Sequence, residues 1–379
     1  MTSPTEHDLT QVYRMEKRLM LLAGFYPKPK DSNQFVYYLS CAVVFSIEVY
    51  FELSMTLYVV NEMDDVMKIA ETLLFLMTQT AFLAKLINFA YNKDKLSVLE
   101  AILKTELFQE MTRTDFQKFQ ANVSKSRKIL LFYCSNAAAS VSGYVLIPFF
   151  EGRSTHRLAV PSFNPWDVKE YYYSTHFFQV LCLTIGATLN SIVDTMFASL
   201  CTIFYGELRI LKRCFRNLDY SLPPGIVRRQ LKRNALFHLE ILKVANLTER
   251  FFTYGILVQF LSSIFVICFT GFQMMLIPTL SSDFFHFVVY LACMLSQVAI
   301  FCCYGHFVTN ESSDIGEAIY LSNWYMSDLS VRKDLLIVME NTKKPILLTA
   351  GKFLPLVMST LTAILRSSYS FLAVLQQME

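Results

Sequence analysis

Nine cysteines, six histidines and one Gly-Lys pair are the side chains with chemistry to offer, and none is spaced for it. Lys352 stands in Ala350-Gly351-Lys352-Phe353. No earlier glycine completes a phosphate loop there, and no Ser or Thr follows the lysine. His7, His156, His176, His238, His286 and His306 are scattered. His156, His176 and His286 fall near one side of the predicted spans, but too loosely for a metal site. HExxH, CxxC and GxSxG are absent. Hydrolysis, redox chemistry and group transfer all lack a constellation, so we expect no enzyme, no cofactor and no metal.

The elements around these residues explain why. Hydrophobic residues make up 54% of the chain, charged residues 17%, and the mean hydropathy is +0.37. That composition sits away from soluble domains, and the apolar residues fall in blocks. A hydrocarbon core of ~30 Å needs ~20 residues of helix. Seven spans meet that length: Phe35–Val60, Val66–Ala90, Ile129–Phe150, His176–Tyr205, Phe252–Met275, Phe284–Phe307 and Leu347–Leu375. The expected class is therefore an all-α integral membrane protein. The first thirty-four residues have no apolar h-region, so the first span would act as its own insertion signal.

Lysine and arginine set the orientation. Most of the 34 basic residues fall before span one, between spans two and three, between four and five, and before span seven. The predicted outer loops hold only Arg153, Arg157 and Lys169. The N-terminus is thus predicted inside and, with seven spans, the C-terminus outside. A G-protein-coupled receptor has the reverse arrangement; the loop Glu151–Ser174 also lacks a cysteine, and no Asp-Arg-Tyr follows span three. The cysteines read as reduced packing residues. Sequons at Asn122, Asn246 and Asn310 all fall on the predicted inner side.

Along this frame, residues 1–34 form an inner N-terminus, 35–205 spans one to four, and 206–251 an inner loop. Residues 252–309 hold spans five and six, 310–354 an inner segment with the first piece of helix seven, and 355–379 its second piece. Arg209, Lys212, Arg213 and Arg216 stand at i, i+3, i+4 and i+7, one face of a helix that continues span four. A solvated positive anchor is the simpler reading, and lipid headgroup or acidic-partner binding the alternative. A basic run beside a membrane helix gives nucleic-acid binding no support. Ser221-Leu222-Pro223-Pro224-Gly225 reads as a turn, followed by a helix from about Ile226 to Leu247. The last span carries Pro355, several Ser and Thr, and Arg366. Such a helix suits a water-filled path better than lipid. Arg366 would pair with a carboxylate such as Asp194 or Glu48, or face pore water.

Trp324 within AIYLSNWYMSD, then Arg332-Lys333, then KKPILLTAGKFLPL and ILRSSYSFLAVLQ, resemble the C-terminal signature of insect odorant receptors. The match covers about Glu317–Gln376; the earlier part agrees in length, span count and inverted topology. Thr253-Tyr254…Gln259-Phe260 is similar to the gustatory-receptor signature, but two spans follow it here. The inner loop lacks the long insertion of the shared co-receptor, so the resemblance is to a tuned, odorant-binding subunit.

That resemblance implies an odorant-gated, non-selective cation channel in the plasma membrane of olfactory-neuron dendrites. Four subunits, the co-receptor among them, would surround one pore. They would be held by a cytoplasmic anchor that includes Trp324, Tyr325, Lys352 and Phe353. The final helix would line the pore, with Val374 and Met378 one turn apart at the gate and Gln377 and Ser370 beside them. Gln376 and Gln377 are more polar than the family's apolar seal, and Glu379 would draw cations to the mouth. A small apolar volatile would bind in the outer half of the bundle. Leu73, Leu74 and Met77 are candidates on span two, and Ala138, Val141, Ser142 and Val145 on span three. Phe177, Val180 and Thr184 follow on span four; Phe287, Tyr290 and Met294 on span six. Gating would be a population shift driven by differential ligand affinity. Against this stand a metabotropic seven-helix receptor, which needs an external N-terminus, and a transporter, which would show internal repeats.

Overall fold

The structure is a computed structural model that describes residues 8–27, 33–62, 66–109, 112–150, 158–279 and 281–377. A 3₁₀ turn (Leu9–Tyr13) and α1 (Arg14–Leu22) precede the long helices α2 (Gln34–Asn61) and α3 (Val66–Leu103). The short α4 (Glu106–Gln109) leads to α5 (Arg113–Phe150), α6 (Tyr172–Arg216), α7 (Pro224–Leu276) and α8 (Ser282–Ser313). Two shorter helices, α9 (Ile315–Tyr320) and α10 (Leu329–Thr342), precede a two-stranded hairpin, β1 (Thr349–Ala350) with β2 (Leu354–Pro355). The last helix is α11 (Met358–Gln377).

Among the described residues, five helices are long and apolar enough to cross a membrane: α2, α3, α6, α7 and α8. Side chains place their ends. Asn33 accepts from the Phe35 amide at 3.0 Å to start α2, and Ser281 from the Phe284 amide at 3.2 Å to start α8. Pro223 and Pro224 open α7, where a missing N–H costs nothing. Asp328 caps α10 through Ser330, and those hydrogen bonds hold its carboxyl below the usual range.

The helices outrun the apolar blocks. Phe252–Met275 is the second half of a 53-residue α7, whose first half is the helix expected from Ile226. The span-four helix runs on to Arg216 as α6, and its basic face is paired with acidic neighbours. Arg209 donates to Glu311 at 2.8 Å, Lys212 pairs with Glu311 and Asp314, and Arg213 with Asp115. Neighbouring helices thus bring carboxylates to three of the four basic residues of that face, while Arg216 is exposed.

Leu347–Leu354 was the other departure, expected as helix and folded as the hairpin. Pro345 and Pro355 interrupt helix, and Gly351 (φ 62°) and Lys352 (φ 67°) both take left-handed conformations at its turn. Lysine there is strained by roughly 1–2 kcal/mol. Thr253 of α7 offsets the strain. Its carbonyl accepts from the Gly351 amide at 3.1 Å, and its Oγ1 accepts from the Lys352 amide at 3.3 Å while donating to Thr349 O at 3.0 Å. The helix that precedes the hairpin is α10, which lies outside the expected span.

Beyond the hairpin, Leu356 sits against Gly305 of α8, where a Cβ would collide with the Leu356 carbonyl oxygen. Because that neighbour is backbone, Gly305→Ala is expected to push the root of α11 off α8 and cost about 1–3 kcal/mol. The check is the detergent melting temperature of the purified chain; an unchanged melt would contradict this packing.

Candidate functional site

A cavity of about 80 Å³ lies inside the bundle between α2, α3, α5, α6 and α8. Its walls are aromatic: Phe51, Phe75, Phe82, Tyr133, Tyr144 and Tyr290. Phe75 meets Tyr144 edge-on at 5.2 Å and Tyr290 at 5.6 Å, the geometries aromatic quadrupoles favour. Small residues make the space, namely Ala137, Ser140, Gly186 and Ala187. Its polar groups are few. Thr78 Oγ1 and Tyr290 OH are hydrogen-bonded at 2.7 Å, and Gln79 Nε2 donates to Glu48 at 2.6 Å. The cavity is far below the ~300 Å³ at which drug-sized pockets begin, so only a compact molecule fits.

Under the cavity a fully buried polar cluster joins five helices at Asp194. Lys85 Nζ of α3 donates to Asp194 Oδ1 at 2.6 Å and to Asn190 Oδ1 at 2.7 Å. Tyr133 of α5 donates to Asp194 Oδ2 at 2.8 Å, and Gln297 of α8 to the same oxygen at 2.6 Å. Gln259 of α7 closes the chain on Gln297 Oε1 at 2.8 Å. Both Tyr133 and Asn190 also line the cavity, so the cluster forms its floor. Above, residues 158–163 fold back on the bundle: Gln179 bonds both backbone groups of Val160, and the Phe163 amide reaches Ser54 O at 3.0 Å.

Of the residues expected at a ligand, Val141, Tyr290 and Met294 line this cavity. Leu74 and Phe287 are buried outside its lining, while Leu73, Met77 and Val180 are half-buried. Ala138, Ser142, Val145, Phe177 and Thr184 are exposed on the outside of the bundle. The error on α5 is one of phase. Ala138, Ser142 and Val145 form one helical stripe of α5, and Tyr133, Ala137, Ser140 and Tyr144 another, which faces the cavity. Spacing cannot separate two such stripes, but the buried tyrosine hydroxyls could have. On α6 the lining starts at Leu183, beyond Phe177 and Val180, and runs to Ser191; Thr184 falls at that depth but on the outer face. Phe51 brings in α2, a helix outside the expected set.

The last helix has two faces. Thr360, Ile364 and Ser368 are buried, and Phe371 meets Phe265 of α7 at 5.8 Å. Thr362, Arg366, Ser370 and Val374 stand at intervals of four and are all exposed, a single stripe along the helix. Arg366 is therefore not paired with Asp194 or Glu48, whose partners are Lys85 and Gln79. Gln377 ends α11; Met378, Glu379 and His156 lie outside the described residues. Around the hairpin and α10, Tyr325 and Phe353 are exposed, Trp324 is half-buried against the core, and Leu329 and Ile337 are also exposed. All nine cysteines are free thiols.

Comparison with known proteins agrees with this architecture. The 7tm odorant receptor family model matches residues 65–369. Odorant receptor Or1 of Anopheles gambiae is 27% identical over 94% of this chain and 93% of its own length. Odorant receptor 46a, isoform A, of Drosophila melanogaster is 24% identical over 96% and 97%. Among solved structures, the insect olfactory receptor OR5 of Machilis hrabei, in complex with eugenol, superposes with a TM-score of 0.86. It shares 13% identity over 98% of each chain, so it shares the fold. Membrane-length helices, a compact aromatic cavity and a family match across most of the sequence lead to one conclusion: this chain is a member of the insect odorant receptor family, a transmembrane receptor of olfaction.

Proposed function

We propose that this chain is the tuned, odorant-binding subunit of a ligand-gated, non-selective cation channel. In this reading α2, α3, α5, α6, α7, α8 and α11 are the seven spans, with the N-terminus in the cytosol and the C-terminus outside. The observation that carries the channel reading is the exposed stripe Thr362–Arg366–Ser370–Val374 on α11. A charged and polar stripe on a membrane helix must meet water or protein, and a pore at a subunit junction supplies both. The exposed apolar residues of α10 and the hairpin, with Trp324, Tyr325, Lys352 and Phe353, would hold the subunits together. The partner is the odorant receptor co-receptor, in a heterotetramer of the dendritic plasma membrane.

The aromatic cavity is the odorant site in this reading, and the OR5 relative, solved with the compact aromatic eugenol, supports it. Ligand there bears directly on Tyr133 and Asn190, and through them on the Asp194 cluster that ties α7 and α8 together. Since α11 packs on α7 and α8, a shift in that cluster reaches the pore helix. The ligand can move the equilibrium only by its differential affinity for the closed and open arrangements.

The test is whole-cell current under an odorant panel, with and without the co-receptor, while G-protein signalling is blocked. A rapid cation current that needs the co-receptor is expected; a response abolished by the block would overturn the channel. Filling the cavity with Ser140→Leu should weaken the most potent odorant at least about tenfold, because a well-packed pocket pays 1–3 kcal/mol for overpacking. Dose–response curves at unchanged surface expression measure it. Orientation has its own check. Asn122, Asn246 and Asn310 should stay unmodified, so glycosidase treatment should leave the gel mobility unchanged.

A further inference from the structure

A second cavity, of about 480 Å³, opens nearer the start of α5, between α1 and the α5–α6 pair. Its deep wall is apolar, built from buried Leu130 and Ile192 with Val12 and Cys134. The hydroxyls on that wall are already satisfied: Thr195 donates to Ile192 O at 3.1 Å and Ser199 to Glu16 at 3.2 Å.

The rim carries both apolar and charged groups. Met15 is 67% and Leu131 68% exposed. Met15, Leu19 and Leu22 stand at i, i+4 and i+7 on α1 and are all exposed, the pattern of a helix lying in a membrane interface. Beside them are two guanidinium groups, those of Arg14 and Arg127. Arg127 Nη2 donates to Gln11 O at 3.2 Å, which fixes the group at the rim. Glu16 is the one acid in the cavity. Burial raises its pKa, against the opposing pull of its hydrogen bonds and of Arg127. Two cations beside an apolar trough that is open sideways match one kind of occupant, an amphiphile with an anionic head.

We propose that this cavity binds one anionic phospholipid of the cytoplasmic leaflet, its phosphate between Arg14 and Arg127 and an acyl chain along Leu131, Leu130 and Ile192 beneath α1. The site wedges lipid between the N-terminal helix and two helices of the odorant bundle. The choice of leaflet rests on the orientation proposed above; the binding itself does not.

The test is native mass spectrometry of the full-length chain, purified in detergent and offered dioleoyl-phosphatidylserine, dioleoyl-phosphatidylcholine or inorganic phosphate. One phosphatidylserine per chain is expected, retained about thirtyfold better than phosphatidylcholine, since two basic side chains near an anionic headgroup contribute about 1 kcal/mol each. Arg14→Gln with Arg127→Gln should bring retention down to the phosphatidylcholine level. Cys134→Phe, which fills the apolar wall and keeps both arginines, should expel the lipid. Equal retention of the two lipids, retention unchanged in either variant, or full displacement by millimolar inorganic phosphate would each overturn the site. Odorant-evoked current in the same variants reports separately on the channel reading.

Discussion

Asp194→Ala should destabilise the chain by roughly 3–5 kcal/mol, the range for breaking a buried ion pair and leaving one charge uncompensated. The expectation rests on where Lys85 would be left. Its side chain is 2% exposed and that of Asp194 0%, so water cannot replace the lost carboxylate. Asn190 would still accept one hydrogen bond, and the Phe301 ring lies 5.4 Å from the ammonium, but neither carries a negative charge. Tyr133 and Gln297 would also lose their acceptor, at about 1–3 kcal/mol for each buried group left unmade. Surface expression should fall below detection, and the detergent-solubilised chain should lose its single size-exclusion peak. Lys85→Met with Asp194→Leu should restore much of the expression, because an apolar pair of similar volume is often as stable as a buried salt bridge. The double variant should nonetheless respond poorly to odorant, since Tyr133 and Asn190 on the cavity floor would no longer be linked through Asp194 and Lys85 to Gln297 of α8. An Asp194→Ala chain that melts like the wild type would remove the cluster from any role in the fold.

Val374→Ser is the second large effect, and it acts on the pore reading alone. Val374 is 53% exposed and lies one turn beyond Ser370 on the polar stripe of α11. An apolar ring at a narrow point closes by dewetting, and a hydroxyl there favours water in the closed state. Basal current without odorant should rise several-fold, with surface expression unchanged because the side chain touches no core. Basal current equal to wild type, with gating also intact, would move the constriction away from Val374. Single-channel recording then separates a wetter closed state from a changed conductance.

Much of this was written in the apolar blocks. Each predicted span from the first through the sixth falls inside one helix, because a membrane-length apolar run has few other ways to satisfy its backbone. What the blocks could not show is how far each helix continues past them. The first half of α7 and the last turns of α6 are polar on the outside; α6 is supported by α7 and α9, and α7 by α3 and α6. The hairpin was hidden for a different reason: Leu347–Leu354 is as apolar as a span, and only Gly351 with its flanking prolines announced a turn. The Asp194–Lys85 pair was legible as two charges inside spans, but a sequence does not say which charges meet. Arg366 was the nearer guess for Asp194, and helix phase points it to the opposite side of α11.

The unbroken length of α7 has a consequence for how such receptors can diverge. Fifty-three residues at 1.5 Å each make a rod of about 80 Å with no joint along it. Thr253, which clasps the hairpin, and Gln259, which completes the buried cluster, are fixed on this rod along with its first half from Pro224. One residue gained or lost upstream of Thr253 within it would turn everything beyond by about 100°, swinging both contacts out of register at once. The turn at 217–223 could absorb the same change without that rotation. Insertions and deletions in descendants of this chain should therefore collect before Pro224 and be purged within α7, even at positions that touch neither ligand nor pore.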